Sequence, residues 1–474
     1  MIPTTKDAAD LLLRGSLALC KASRNGIKID EQYLDSAIAS TQAKIKGIEE
    51  ELKSGEEWRK WTSRFGDKAG LTKAQQLAVV LYDLLGHECP KMTEKKSRAT
   101  DAEALEAIGT PFTKKIMEMR STEKLLSTFL IGLKKEVVAG FFHPTFNVHT
   151  TTSYRSSSGR GASEETASGH DLNFQNLPIR SEVQGPIVRP CYLARPGRRI
   201  LEIDFGAHEW RCAAAIWGDP GMLAYCHDES KCIHYDWTAR CYLCEVSQVS
   251  KPMRAEGKNK FLFPILYGSY WASCGRDLWD AVGKMNLKLK DGTPLVSHLV
   301  GKGIKSKEAL QEHLKKVEQD FYTCFPTFAQ RKDAVWEEYR RTGHHDTATG
   351  FRLYWDKRGT MSRNFLLNGR IQGPSYHINS WCFTQMQAYL DKHQMKTLFL
   401  GQVHDCQLFD APEDEIDDVL EAAHYYMTVG VRKHWDWITV PLLVEVDVTP
   451  VGGNWHQKSS WVRSPDGTWE PKGK

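Results

Sequence analysis

Apolar side chains recur at helical spacing through the first part of the chain. Residues 7 to about 53 are predicted to be helical, with an interruption at Asn25-Gly26 and a new start after Asp30, a residue type that caps helix N-termini well. A second amphipathic helix is predicted from Gln75 to Leu85. From Phe112 to Val138 the apolar residues recur three and four apart with lysines between them, which predicts a long helix or a helix pair.

Later parts of the chain alternate between apolar and polar residues, as strands do. In residues 198–205 the apolar side chains share one face, so Asp204 ends a half-buried strand on its polar face. Residues 397–403 and 407–409 are apolar runs on either side of His404-Asp405-Cys406, which predicts a β-hairpin with a polar turn. Residues 440–448 alternate as a final strand.

The remaining segments predict shorter or less regular elements. Residues 146–152 are rich in β-forming side chains, whereas residues 156–169 are dense in Ser and Gly and predict a flexible loop. Residues 275–340 predict charged helix, interrupted by a Lys- and Gly-rich stretch at 284–305. A last long helix is expected to open at Gly373-Pro374 and to run to about Asp391.

The composition fits a globular protein with several subdomains, since 41% of the 474 residues are hydrophobic and 26% are charged. The net charge of +4 is too small to indicate a nucleic-acid partner by itself. Lysines cluster at 91–96 and 114–135, where they suit either contact with phosphates or an ordinary solvated helix face. Without a signal peptide or an apolar run of about 18 residues, the chain is expected to be cytoplasmic.

Four of the twelve cysteines form a loose group that raises the question of zinc. Cys226, Cys232, Cys241 and Cys244 lie near His227 and His234, and Cys241 with Cys244 has the CxxC spacing of a zinc-ligand pair. A structural zinc site usually shows two tight pairs, and here the first pair is spread over five intervening residues. Buried free thiols are therefore the preferred interpretation, with zinc as the alternative.

The two carboxylates at strand ends suggest the chemistry. If the strand that ends in Asp204 and the hairpin that carries Asp405 belong to one antiparallel sheet, the two side chains can approach closely. Carboxylates that near repel each other, and each raises the pKa of the other unless cations lie between them. Two magnesium ions about 4 Å apart would remove the repulsion and could activate a hydroxyl and stabilise leaving pyrophosphate. This chemistry suits a template-directed nucleotidyl transferase, although many protein cores carry unrelated aspartates.

A third stretch carries groups that suit a nucleoside triphosphate. Arg254 and Lys258 lie four apart on one predicted helix face, and the aromatic residues Phe263 and Tyr267 follow. The cations suit the phosphates and the rings suit base and sugar, although an ordinary amphipathic helix would show the same pattern. Pro264 interrupts the helix pattern at a cost of about 3 kcal/mol.

At these residues the chain resembles the family A DNA polymerases. Asp204 to Arg211 is similar to the motif A pattern D-x-x-x-x-E-x-R of that family. Arg254, Lys258 and Tyr267-Gly268 are similar to motif B, and residues 402–405 are similar to motif C. Further matches are Ser157-Ser158, residues 173–178, His234, Asn368, Gln372-Gly373 and Gly453-Asn454-Trp455, in an order that covers nearly the whole chain.

The resemblance implies an α+β fold shaped as a right hand, with an antiparallel-sheet palm, helical fingers and a helical thumb. It divides the chain into N-terminal helices and thumb at 1–140, a first palm segment at 141–215, fingers at 216–369 and a second palm segment at 370–474. The implied activity is the addition of deoxynucleotides to a primer 3′ end with two Mg²⁺ ions, for which Mn²⁺ can substitute. The implied partners are primer-template DNA and deoxynucleoside triphosphates, with a replisome or processivity factor as a further expectation and no membrane.

The resemblance also assigns roles to individual residues. Metal ions would be held by Asp204, Asp405 and the Phe205 carbonyl. The triphosphate would be held by Arg254, Lys258 and His234, while Phe263 would face the sugar. Glu209 and Tyr267 would form a steric gate against a ribose 2′-hydroxyl. Primer and template would be contacted, largely through the minor groove, by Arg155, Asn173, Gln175, Asn368, Gln372, Gln402 and His404.

Three departures from the family pattern lead to further expectations. Lys258 and Tyr267 are nine residues apart rather than eight, which predicts a π-bulge that returns Phe263 and Tyr267 to the face of Lys258; in a regular helix Leu262 would take the place of Phe263. Cys406 stands where the family usually has glutamate, so that this carboxylate is either not needed or supplied from elsewhere. Residues 159–171 form an insertion that either adds DNA contacts or is disordered.

The chain begins almost directly at the polymerase-like region, so no 3′–5′ exonuclease activity is expected, as in a compact phage-type enzyme. Two rival functions stay open. A single-subunit RNA polymerase shares the metal aspartates, but Glu209 should exclude ribonucleotides. The second rival is a catalytically inactive DNA-binding scaffold of the same fold. The presence of both aspartates together with Arg254 and Lys258 argues against it, because a scaffold does not need them.

Overall fold

The structure is a computed structural model that describes residues 3–159, 172–179, 181–354 and 361–473. Residues 160–171, which include most of the predicted loop and insertion, lie outside these ranges. The helices of the first half are α1 (Thr5–Asn25), α2 (Glu31–Ser54), α3 (Glu56–Phe65), α4 (Ala74–Val79), α5 (Ala102–Ile108), α6 (Pro111–Lys124), α7 (Gly132–Glu136), α8 (Gly185–Val188), α9 (His208–Trp217), α10 (Pro220–His227) and α11 (Ile233–Tyr242). Those of the second half are α12 (Lys251–Gly257), α13 (Phe263–Leu266), α14 (Trp271–Lys284), α15 (Leu295–Gly301), α16 (Lys307–Cys324), α17 (Pro326–Thr342), α18 (Arg363–Lys392), α19 (Ile416–His424) and α20 (Val431–His434).

The strands form one large antiparallel sheet and three small ones. Their bounds are β1 (Ile27–Ile29), β2 (Val137–Val138), β3 (Phe141–Phe142), β4 (Phe146–Asn147), β5 (Ser157–Ser158), β6 (Tyr192–Leu193), β7 (Arg198–Gly206), β8 (His344–Asp346), β9 (Arg352–Tyr354), β10 (Leu398–Val403), β11 (Cys406–Pro412), β12 (Leu443–Val448), β13 (Ser459–Arg463) and β14 (Trp469–Pro471). The large sheet has the strand order β10-β11-β7-β12-β13-β14. With helices packed against this sheet, the α+β fold predicted from the sequence is confirmed.

Strand β7 lies inside the large sheet, and its alternating side chains give it one buried and one half-buried face. Leu201 and Ile203 are fully buried, while Glu202 and Asp204 on the opposite face are only half-buried. Its neighbours β11 and β12 both run antiparallel to it. The strand and hairpin predicted some two hundred residues apart in the sequence therefore belong to one sheet.

The helices of the first 140 residues carry an apolar core of their own. Helices α2 and α6 pack together, and the core includes Ile48, Trp61 and Ile116. The long helix predicted from Phe112 to Val138 is confirmed, because α6 continues through a π-helical turn at Leu125–Ile131 into α7. The interruption predicted at Asn25-Gly26 is also confirmed, with the short strand β1 in the gap.

The long helix α18 corrects one prediction. It begins at Arg363 instead of opening at Gly373-Pro374, and Pro374 lies inside it. Nearly every residue from Ile371 to Phe383 is buried, so tertiary packing outweighs the cost of about 3 kcal/mol for an internal proline. The helix consequently crosses the predicted border between fingers and palm at residues 369 and 370.

Three smaller predictions were also wrong in extent. The β-rich stretch 146–152 forms strand only at Phe146–Asn147. Helix α15 lies inside the stretch 284–305 that was predicted to interrupt the helices, because its leucines are buried. Strand β12 is not the final strand, since β13 and β14 follow and extend the sheet at its edge. In the part of the chain that the structure describes, no helix is both long and apolar enough to cross a lipid bilayer.

A buried ion pair joins the end of α1 to the large sheet. Arg195 donates to Asp410 Oδ2 over 2.5 Å and to the backbone carbonyl of Asn25 over 2.6 Å. The side chain of Asp410 is only 1% exposed, and burial raises the pKa of its carboxyl in spite of the nearby Arg195. If Arg195 is removed, the buried carboxylate of Asp410 therefore has neither a counter-charge nor solvent around it.

We expect Arg195→Ala to lower the free energy of unfolding by about 3–5 kcal/mol, because it leaves Asp410 buried without a counter-charge. The raised pKa of Asp410 sets the sign of the pH dependence: the protonated carboxyl is tolerated, so part of the loss should be recovered as the pH falls. Urea unfolding at pH 7 and pH 5 measures both effects. Arg352→Ala is the control, because its exposed pair with Asp346 should contribute less than about 1 kcal/mol. Equal losses in the two variants would contradict this account.

Candidate active site

The two aspartates predicted from the sequence meet at one end of the large sheet. Cys406 pairs with Asp204 in the register of β11 and β7, which places the preceding residue, Asp405, beside the end of β7. Asp204 and Asp405 line one cavity of about 300 Å³. The other lining residues are Arg155, Phe205, Ala207, His208, Glu209, Lys258, Asn259, Phe263, Gln372 and His404.

Negative charge is concentrated in this cavity. Burial raises the pKa of Glu209, and the charge of Asp405 raises it further. Burial also raises the pKa of the Cys406 thiol, and the charges of Glu202 and Asp204 add to the effect. The backbone N–H of Phe205 donates to Asp204 Oδ1 over 3.0 Å, which holds that carboxylate at the strand end. Cys406 is therefore a neutral thiol near the carboxylates of Glu202 and Asp204.

The residues present fit a hard divalent cation. Carboxylate and carbonyl oxygens are the ligands that Mg²⁺ prefers, and Mg²⁺ usually keeps several waters, so that two carboxylates suffice as its protein ligands. In the described ranges no group of three or more His, Cys, Asp or Glu side chains is arranged to hold a metal, the cysteine group included. Cys226, Cys232, Cys241 and Cys244 are all free thiols, and burial raises the pKa of Cys226 and of Cys244 to about 11. Cys226 and Cys241 are buried and Cys232 and Cys244 are partly buried, and free thiols in preference to zinc stay a prediction.

The helix that carries Arg254 and Lys258 contains the predicted π-bulge. Helix α12 continues through a π-helical turn at Lys258–Leu262 into α13. Leu262 points into the core, whereas the Phe263 ring centroid lies 5.0 Å from Lys258 Nζ and 5.9 Å from the stacked Tyr267 ring. The extra residue is absorbed in the wide turn, so the predicted π-bulge is confirmed, and Phe263 rather than Leu262 lies beside Lys258.

Glu209, which lines the cavity, forms a half-buried pair with Tyr267. Tyr267 Oη donates to Glu209 Oε2 over 2.7 Å. Burial and the charge of Glu209 raise the pKa of Tyr267, so the phenol keeps its proton and remains a donor. Behind this pair, Arg155 donates to Gln372 Oε1 over 2.7 Å, and Gln372 Nε2 lies 3.5 Å from Tyr267 Oη.

His234 lies on α11 beside the cations of α12. Its ring meets that of Phe263 edge-on at 5.9 Å between centroids. Burial lowers its pKa to about 3, and the charges of Lys258 and Arg254 act in the same direction. Among the described residues both ring nitrogens of this buried histidine lack a hydrogen-bond partner. His234 is therefore a neutral ring that can donate or accept towards a ligand.

The seven residues expected to contact DNA divide into two groups. Arg155, Gln372 and His404 line the cavity, and Asn368 lies one turn before Gln372 on α18. Asn173, Gln175 and Gln402 do not line it. Asn173 caps a short 3₁₀ helix by accepting from the Asn176 N–H over 3.1 Å, whereas Gln175 and Gln402 are buried.

Ser156 is a residue whose role the sequence did not indicate. Its hydroxyl accepts from Gln175 Nε2 over 2.8 Å and from the side chain of Gln402. It directly follows Arg155 and was placed in the predicted flexible loop. A serine in a Ser- and Gly-rich stretch gives no signal of such contacts. His208 was missed as well, although it stacks on Phe205 at 4.2 Å between ring centroids and lines the cavity.

Comparisons with known proteins show which family the chain matches. The family model for DNA polymerase family A matches residues 36–284 and 299–457. The chain is 24% identical to DNA polymerase I of Chloroflexus aurantiacus over 92% of this chain and 41% of that protein. It is 25% identical to the thermostable DNA polymerase I of Thermus aquaticus over 93% of this chain and 47% of that protein. The DNA polymerase of Escherichia phage T5 is 28% identical over 60% of this chain and 33% of that protein.

A solved structure shows the same fold. The POL domain of Pol1 from M. smegmatis, in complex with DNA primer-template and dNTP, superposes with a TM-score of 0.72 at 22% sequence identity. The match covers 94% of this chain and 70% of that one. The chain spans less than half the length of the bacterial relatives that it matches.

Proposed function

The chain belongs to DNA polymerase family A, and on that premise we propose that it is a template-directed DNA polymerase that adds deoxynucleotides to a primer 3′ end. One observation carries the proposal: Asp204 and Asp405, which come from strands far apart in the sequence, line a single cavity together with Lys258 and Glu209. The cavity thus combines carboxylates for metal ions, a cation for a phosphate and a half-buried carboxylate on its wall.

We assign metal binding to Asp204, Asp405 and the carbonyl of Phe205. They would hold two Mg²⁺ ions, with Mn²⁺ as a substitute. When bound, such ions activate the attacking hydroxyl and stabilise the leaving pyrophosphate. The protein contributes a rigid sheet that positions the two carboxylates, because β7 is paired on both sides by β11 and β12.

We assign triphosphate binding to Arg254, Lys258 and His234. Arg254 lies on α12, and Lys258 lies one helical turn later, at the start of the π-helical turn. Their positive charges would compensate the charge of the phosphates. The neutral His234 ring adds a hydrogen-bonding group that does not repel them. Phe263, whose ring lies beside Lys258, is proposed to pack against the sugar.

We assign exclusion of ribonucleotides to Glu209 and Tyr267. The hydrogen bond from Tyr267 fixes the Glu209 carboxylate against the cavity, where it takes the space next to the sugar. A ribose 2′-hydroxyl would meet this carboxylate and the ring, whereas a deoxyribose would fit. This arrangement favours a DNA polymerase over the RNA polymerase alternative.

Primer-template DNA is the proposed macromolecular partner. Arg155, Gln372, His404 and Asn368 are proposed to contact the primer terminus and the template through minor-groove acceptors, for which guanidinium and amide donors are suited. Gln175 and Gln402 are proposed to act through Ser156, which they hold next to Arg155. Asn173 is proposed to support the turn that precedes Gln175. A processivity factor, a cytoplasmic location and the lack of proofreading stay predictions.

Primer extension with Mg²⁺ tests the proposal. A labelled primer annealed to a longer template is incubated with deoxynucleotides in one reaction and with ribonucleotides in a parallel one. We expect extension directed by the template with deoxynucleotides and much slower use of ribonucleotides. Equal use of both would favour the RNA polymerase, and tight binding without extension would favour the inactive scaffold.

A further inference from the structure

The register of the large sheet places a second acidic residue beside Asp204. Cys406 on β11 lies directly opposite Asp204 on one side, and Glu445 on β12 lies directly opposite it on the other. Residues opposite each other in an antiparallel sheet project from the same face. Cys406, Asp204 and Glu445 therefore form one row across three strands, with a thiol at one end and a carboxylate at the other.

The carboxylate of Glu445 extends towards the end of β7 that carries the proposed metal ligands. A Cβ atom placed on Gly206 would lie 3.6 Å from Glu445 Oε1. Gly206 follows Phe205 directly, whose carbonyl is assigned to metal binding. The side chain of Glu445 is exposed, so that its negative charge remains accessible to a cation.

The acidic side chains in the neighbouring row of this face already have protein partners. Glu202 lies 2.6 Å from Lys458 Nζ and accepts from Trp455 Nε1 over 2.7 Å. Asp447 lies 2.7 Å from the same lysine and accepts from Ser460 Oγ over 2.8 Å. Within the described ranges Glu445 has no such hydrogen bond or ion pair.

We propose that Glu445 is the third carboxylate of the cation site and supplies, from β12, the acidic group that Cys406 does not supply from β11. The inference rests on the proposed function, because it assumes that Asp204 and Asp405 hold divalent cations. Two such ions carry four positive charges, of which two aspartates balance only half. A third carboxylate in the same row as Asp204 strengthens cation binding before the nucleotide arrives, and it is supplied by a different strand, β12.

Mn²⁺ binding to the full chain without DNA or nucleotide tests this inference. Electron paramagnetic resonance of free Mn²⁺ gives the dissociation constant without any need for turnover. We expect Glu445→Gln to weaken Mn²⁺ binding about tenfold, as loss of one nearby charge implies. Glu470→Gln is the matched control, because it removes an exposed carboxylate from β14 of the same sheet and should leave the affinity unchanged.

Asp405→Ala separates failure of the inference from failure of the proposed function. If Asp405→Ala weakens Mn²⁺ binding and Glu445→Gln does not, the role of Glu445 is overturned while the metal site stands. If neither changes the affinity, the metal site itself is overturned and the inference falls with it.

A rescue variant tests whether the two positions are interchangeable. Adding Cys406→Glu to Glu445→Gln returns a carboxylate to the row from the opposite side, so Mn²⁺ affinity should return to within about threefold of wild type. Because Cys406 is buried, circular dichroism and thermal melting must first show that the double variant is folded. A folded double variant that binds Mn²⁺ as weakly as Glu445→Gln would show that a carboxylate at position 406 cannot replace the one at position 445. If the double variant does not fold, the role of Glu445 is decided by the Mn²⁺ affinities of Glu445→Gln and Glu470→Gln alone.

Discussion

Replacing Asp405 by alanine should abolish primer extension and leave primer-template binding almost unchanged. The carboxylate lies at a hairpin tip, in the cavity that also holds Asp204, and its proposed partners are metal ions rather than protein groups. Its loss should remove several kcal/mol of transition-state stabilisation, which corresponds to a rate lower by about three orders of magnitude or more. Single-turnover extension with saturating Mg²⁺ measures the rate, and fluorescence anisotropy of a labelled primer-template measures the binding.

The control for Asp405→Ala is Asp414→Ala, which removes an exposed carboxylate just beyond the end of β11. This variant should extend the primer at the wild-type rate. Asp204→Asn should behave as Asp405→Ala does, since both carboxylates are assigned to the same ions. Retention of a tenth or more of the wild-type rate by Asp405→Ala would show that this carboxylate is not part of the catalytic site.

Replacing Glu209 by alanine should let the protein use ribonucleotides. The side chain is half-buried, accepts a hydrogen bond from Tyr267 over 2.7 Å and lies on the cavity wall. Its removal opens space for a 2′-hydroxyl, so the preference for deoxynucleotides, as the ratio of kcat/KM values, should fall by about a hundredfold or more. The rate with deoxynucleotides should fall much less, because Glu209 is not assigned to the reacting atoms.

Tyr267→Phe provides the graded comparison for Glu209→Ala. It keeps the ring that stacks on Phe263 and removes only the hydroxyl that donates to Glu209. The preference for deoxynucleotides should therefore fall less than in Glu209→Ala. A Glu209→Ala protein that still rejects ribonucleotides as wild type does would show that the discrimination lies elsewhere in the cavity.

The central features of the site could be predicted because they depend on local patterns. Alternation of apolar residues is sufficient to find β7 and the hairpin, and a polar turn between two apolar runs locates Asp405 at the tip. The π-bulge after α12 was predicted from the resemblance, because Lys258 and Tyr267 are one residue further apart than in the family pattern and lie next to a proline. In these cases the local rule and the tertiary structure agree.

The parts that the sequence did not indicate depend on distant contacts. Helix α18 begins before Pro374 because burial outweighs the local cost of a proline. Ser156 contacts Gln175 and Gln402, and the second contact joins segments that are more than 240 residues apart in the sequence. The position of Glu445 opposite Asp204 depends on the register of β12, which no turn residue next to either strand determines.

The most direct test of the account is anomalous diffraction from crystals of the protein with primer-template, a non-hydrolysable deoxynucleotide and Mn²⁺. Two manganese peaks within about 4 Å of each other, both touching oxygens of Asp204 and Asp405, are the predicted result. A complex in which the nucleotide is bound and neither carboxylate touches manganese would contradict the central claim.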